Sequence, residues 1–230
     1  MSKPLAVVFQ PLHISRMPEN FPGPLQSILD SRGFSVLSID TIRACDEGAE
    51  SISEILNYWT ERNPVIMDAS LVLSNALGAV VAHELAAHLA RDTQIISISS
   101  PTKATETLRS MFSQVIDTTW ECGAIEAWYV VERAVGASAK MDPSNLLATK
   151  QANRRLIRGF GALLNYDCKR ATSEAQHLAI VGAQSQLVRN EDVCKCDAPH
   201  IVEILGAEMR PHTTHLDAVS NSIQSFLDRG

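Results

Sequence analysis

The segment from Leu71 to Leu85, LVLSNALGAVVAHEL, has the layout of a site for covalent chemistry and lacks the side chain that would perform it. An apolar run leading through G-x-S-x-G into a helix makes a strained turn that pushes a serine oxygen out above a sheet. Here that register reads Ser74, Asn75, Ala76, Leu77 and Gly78, so a methyl group stands at the apex. Ala76 can neither attack a carbonyl nor be activated by a base, which excludes acyl-enzyme chemistry from this position. Two explanations stay open: a serine was replaced, or the chain naturally kept the turn and lost the machinery. Ser74 is no substitute nucleophile, because it lies at the strand end, two residues before the apex.

Other chemistry-bearing residues are scattered. His212 and His215, in RPHTTHL, stand before the last helical stretch, where a general base could sit. His13 follows the first apolar run and reads as a structural histidine ahead of an acid or base. His83 and His88 are five residues apart rather than four, which does not make a metal-binding helix face, and both are expected to be exposed or partly packed. Cys194 and Cys196, with His200 nearby, offer ligand types that zinc accepts, but C-x-C without a second pair does not specify a site. No metal and no cofactor are expected. Arg154, Arg155 and Arg158, with Lys150, read first as a solvated helix face and second as a contact for an acidic carrier protein or a phosphopantetheine arm. Trp120, Trp128 and Tyr129 pack helices together or line an acyl channel.

The elements that position these residues alternate. Leu5–Phe9, Phe34–Ile39, Ser70–Leu73, Gln94–Ile98, His177–Val181 and His200–Leu205 read as short strands. Helices are expected over 24–32, 51–62, 76–90, 105–116, 123–135, 145–164 and 216–228, with Ser51 and Glu54 forming a capping box. That order argues for a mostly parallel sheet with helices on both faces. The stretch from Thr102 to Ala175 is helical without a convincing strand and reads as a lid inserted into the core. The expected organisation is therefore 1–101 for the first half of the core, 102–175 for the insertion and 176–230 for the rest.

Composition narrows the function classes. With 230 residues and 45% hydrophobic side chains, the chain can bury one sizeable core. A net charge of -6 argues against nucleic acid as a partner. No apolar run is long enough to span a membrane, and five scattered cysteines read as reduced thiols. A cytoplasmic protein is expected.

The elbow segment, the Pro11-to-Ile14 loop, the strand end at Leu37–Asp40, the segment from Ile180 to Val188 and the late histidines resemble the α/β-hydrolase superfamily. Within it, the chain resembles the stand-alone thioesterases of polyketide and nonribosomal peptide synthesis. The resemblance implies an α/β-hydrolase fold with a helical lid, acting on acyl groups held by a carrier protein or coenzyme A. It puts the nucleophile position at Ala76, the base at His212 or His215, and the oxyanion hole at Leu77 with Leu12 or His13. Ser74, Asn75 and Trp128 are expected to line the ligand pocket. The acid falls on Ser185, or near Ser99 or Ser100, none of which is a carboxylate; Glu191 and Asp192 follow a few residues later. The alternative reading is a non-hydrolytic relative that binds an acyl or polyketide-like ligand or a partner protein, with histidine-based proton transfer as its chemistry.

Overall fold

Strands that are apolar along nearly their whole length need cover on both faces. The computed structural model describes residues 3–15, 21–136, 145–168, 175–193 and 200–229. Its strands are β1 (Leu5–Phe9), β2 (Ser35–Ile39), β3 (Leu71–Asn75), β4 (Gln94–Ile98), β5 (Gln176–Gly182) and β6 (His200–Ile204). They form one sheet in the order β2-β1-β3-β4-β5-β6, every neighbouring pair parallel. The chain leaves β1 for β2 on one side and then returns to β3 on the other. The crevice beyond the carboxyl ends of β1 and β3 is therefore the switch point at which such sheets bind ligands.

The two-residue period of the strands sorts the cover. Ala6, Val8, Leu71, Leu73, Ile96 and Ile98 pack with helix α1 (Gln26–Ser31) and with the last helix, Leu216–Leu227, on one face. Val7, Phe9, Val72, Ile95, Ala179 and Val181 pack on the other face with α2 (Arg43–Asp46), α3 (Ile52–Arg62), α4 (Leu77–Leu85) and the helices that follow β4. Helix α3 starts where its capping box places it: Glu54 N–H donates to Ser51 Oγ at 3.2 Å, and Ser51 N–H to Glu54 Oε2 at 3.1 Å.

Between β4 and β5 lie α5 (Glu106–Cys122), α6 (Ala124–Ala134) and α7 (Thr149–Leu164). Gly123, at φ 96°, turns the chain between the first two. Helix α7 begins at Thr149 rather than Asn145 because the residues before it pair with the loop after β1: Leu147 N–H donates to Ile14 O at 3.0 Å, and Ser15 bridges Leu146. Helix α4 ends at Leu85 and tightens into a 3-10 turn over Ala86–His88. Strand β3 runs two residues beyond the expected Leu73, because Ser74 and Asn75 pair with Ser97 and Ile98 of β4. Two final helices, α8 (Pro211–Thr214) and α9 (Leu216–Leu227), follow β6. None of the described helices is long and apolar enough to cross a membrane.

Candidate functional site

The turn between β3 and α4 has the strained shape of an elbow, with Ala76 at its apex. Ala76, the cap of α4, has φ 49° and ψ -118°, a conformation an alanine adopts only when the surroundings force it. They do so from both sides. Ala76 N–H donates to Ile98 O at 3.0 Å, while its carbonyl accepts from Ala79 at 3.0 Å and Val80 at 3.2 Å. Gly78 makes the turn possible in another way: a Cβ there would lie 2.5 Å from Phe9 O and 2.6 Å from Gln10 O, so the helix approaches β1 only with glycine. Leu77 opens the helix, where backbone N–H groups have no intrahelical acceptor. Its N–H and that of Leu12 or His13 remain the candidate oxyanion donors.

Of the two late histidines, the fold brings only His212 to the elbow. It is 7% exposed, and Asn75 Nδ2–H donates to its Nε2 at 3.4 Å. That leaves the ring proton on Nδ1, which is buried with no hydrogen-bond partner among the described residues. Burial, helped by the charge of Arg210, lowers its pKa from 6.5 to about 4, so the ring is neutral at pH 7. His215 is corrected: the turn that ends α8 points it to the surface, where Nδ1 meets Thr214 Oγ1 at 2.9 Å and the ring edge covers Gly206.

The residue expected at the acid position is Ser185, and its hydroxyl is engaged locally. Ser185 Oγ accepts from the N–H groups of Leu187 at 3.4 Å and Val188 at 3.1 Å, and its hydrogen points to Met209 Sδ at 3.6 Å. Asp192 accepts from Arg189 N–H at 2.8 Å, and Glu191 pairs with the same arginine at 3.6 Å, so both carboxylates serve their own turn. At the end of β4, Ser99 also has a positive φ, 51°, and is 1% exposed with no partner for its Oγ among the described residues. It stands one strand over from Ala76 in the β3–β4 register.

Elbow, histidine and insertion enclose a cavity of about 710 Å³ with largely apolar walls. Leu12, His13, Asn75, Ala76, Leu77, Ser99, Trp128 and His212 all line it. Ser74, expected there, does not: its β3 position turns Oγ to Ile96 O at 3.0 Å, fully buried. Trp120 and Tyr129 are 71% and 44% exposed, which leaves Trp128 as the aromatic of that group at the cavity. Sequence reasoning missed Glu132, which lines the cavity and pairs with Arg210 Nη2 at 2.9 Å. The signal was present: Glu132 falls beside Val131 and one turn after Trp128, on the apolar stripe of α6.

Behind the cavity wall lies a buried charge network. His13 Nε2 meets Asp40 Oδ1 at 3.0 Å and Nδ1 meets Ser15 O at 3.1 Å, which makes it a satisfied structural histidine. Arg155, 3% exposed, binds Asp40 at 2.9 Å and Asp46 at 2.7 Å. Burial raises the Asp40 pKa, but the hydrogen bond and charge of His13, with the charge of Arg155, leave it below the usual carboxylate value. Arg154 donates to Asp46 O and Arg158 to Cys45 O. Arg155 thus leaves the expected solvated face and is buried, while Arg154 and Lys150 stay exposed and Arg158 half-exposed; the three arginines clamp α7 to α2. His83, expected exposed or partly packed, is 3% exposed under the sheet and stacks edge-on with His177. Burial raises the Cys45 thiol to about 12, which removes it as a nucleophile. Cys194 and Cys196 lie outside the described residues, among which no group of His, Cys, Asp and Glu could hold a metal.

No family model matches this sequence, and no curated protein does. Solved structures do. An α/β hydrolase enzyme from a Medee basin deep-sea metagenome library superimposes with a TM-score of 0.72 at 10% identity, over 99% of this chain and 90% of that one. A hydrolase from Pseudomonas aeruginosa gives 0.67 at 17% identity, over 98% and 90%. The enol-lactonase from Burkholderia xenovorans gives 0.65 at 14%, over 99% and 92%. The likeness carries the architecture: this chain has the α/β-hydrolase fold.

Proposed function

We propose that the protein is a non-hydrolytic member of this fold that holds a carbonyl-bearing apolar ligand under the helical insertion, which serves as its lid. The ligand carbonyl accepts from the amides of Leu77 and Leu12, and neutral His212 is the proton acceptor beside it. One observation carries this reading. Where a triad needs a carboxylate, Ser185 spends its oxygen on the amides of Leu187 and Val188, and His212 Nδ1 has no partner among the described residues. Two of three catalytic places are thus lost while the cavity persists. A single substitution at position 76 would leave the acid in place.

A second reading, an acyl-thioester hydrolase for carrier-protein or coenzyme A substrates that lacks only its serine, draws on the turn itself. Ala76 keeps the φ of 49° that a methyl group does not need. The two readings separate in one assay series: hydrolysis of butyryl and decanoyl thioesters by the chain, by Ala76→Ser and by Ala76→Ser with Ser185→Asp. The first reading expects no hydrolysis by the chain or by Ala76→Ser, with saturable binding of 2-dodecanone followed through a change in tryptophan fluorescence that Trp128→Phe removes. A gain of about a hundredfold from Ala76→Ser alone, abolished by His212→Ala, establishes the hydrolase instead.

A further inference from the structure

Glu132 is the carboxylate within the cavity wall that neither the elbow nor the residue expected at the acid position explains. Helix α6 carries it into an otherwise largely apolar lining, and the residue is 8% exposed. Arg210 Nη2 holds one of its oxygens, Oε1, at 2.9 Å. The second oxygen, Oε2, has no hydrogen-bond partner among the described residues. A carboxylate offers about four lone-pair sites. Oε2 keeps lone pairs free toward the cavity, and a donor arriving there among largely apolar side chains makes a bond to a charged acceptor. The same oxygen repels an arriving anion, and the positive partner that would attract one is already engaged by Glu132.

We propose that Glu132 sets the ligand class: a neutral, apolar hydroxy-carbonyl compound whose hydroxyl donates to Glu132 Oε2 while its carbonyl lies at the elbow amides. Free fatty acids and other carboxylates are rejected. This selection rests on the ligand-binding reading above and adds to it a second polar group on the ligand. It also fits a site that does not release acids, since a hydrolysis product would bring a carboxylate into this wall.

Three probes share one chain and differ in the end group: 2-dodecanone, 12-hydroxy-2-dodecanone and 11-oxododecanoate. Binding of each to the intact chain is measured by calorimetry at pH 7.5, then repeated with Glu132→Gln after its fold is checked by circular dichroism. A hydrogen bond to a charged acceptor predicts about tenfold tighter binding of the hydroxy-ketone than of the ketone, with the oxo acid weakest. In Glu132→Gln the hydroxyl advantage shrinks severalfold and the oxo acid gains affinity, because the amide accepts without repelling. Ketone binding with no end-group preference in the unmodified chain overturns the role of Glu132 and leaves the ligand-binding reading standing. An advantage that Glu132→Gln leaves unchanged also overturns it. Failure of all three probes to bind overturns both.

Discussion

Replacing Ala76 by glycine should stabilise this protein, against the usual effect of introducing glycine. The turn holds Ala76 at φ 49° and ψ -118°, pinned by Ile98 O on one side and by Ala79 and Val80 N–H on the other, so the residue has no relaxed alternative. Strain of that kind is worth about 1–3 kcal/mol for a residue with a Cβ. Glycine removes it and loses about 0.5–1 kcal/mol through the freedom it gains in the unfolded chain. Because the methyl group lies at the cavity, little packing is lost with it. The expected net gain is about 1 kcal/mol, a rise in Tm of about 2–4 °C for a chain of this size. Urea unfolding of the chain, of Ala76→Gly and of Ala76→Val reads it directly. Valine, with a branched Cβ, should move the midpoint the other way. A midpoint for Ala76→Gly equal to or below that of the unmodified chain, with unchanged slope, refutes the claim that the elbow stores strain.

Two further outcomes follow from the charges. His212 has its pKa lowered from 6.5 to about 4, so the unfolded chain binds the extra proton and the folded one does not between those values. Stability therefore falls as pH drops from about 6.5 toward 4, by up to about 3 kcal/mol from this residue, and His212→Gln flattens that part of the urea-midpoint profile. His83, also lowered well below 6.5, keeps a residual slope of the same sign in the variant. Arg155→Leu removes the cation shared by Asp40 and Asp46, leaving Asp40 with His13 and Asp46 with Gln151, at about 3 kcal/mol. Limited proteolysis should then cut first near the start of α7, where Leu147 pairs with Ile14.

Much of the architecture could be read from the chain because its signals are local. Apolar runs five or six residues long, broken by turns, placed β1, β2 and β4 within one residue, and the Ser51 and Glu54 pair placed the start of α3. The start of α7 was misread for the opposite reason: residues 145–148 are held by the loop near residue 14, far away in sequence. At the site, Ala76, Leu77 and Asn75 were legible as neighbours in one motif. The choice of His212 over His215 was not, since it depends on which way a four-residue helix turns each ring. The arginines of α7 looked like a surface row because their partners, Asp40 and Asp46, lie more than a hundred residues earlier.

The sequence by itself determined that the sheet is parallel and covered on both faces, that a strand-to-helix turn stands at its centre, and that no serine occupies that turn. Periodicity and side-chain chemistry act within a few residues, and these are facts of that range. Only the tertiary structure decided that Glu132 and His212 share one cavity, that Ser185 is spent on its own turn, and that His13 and Arg155 belong to a buried clamp. Those outcomes hang on burial and on partners brought together across the chain. Such contacts fix whether a polar side chain is satisfied, and so whether it has chemistry left to offer.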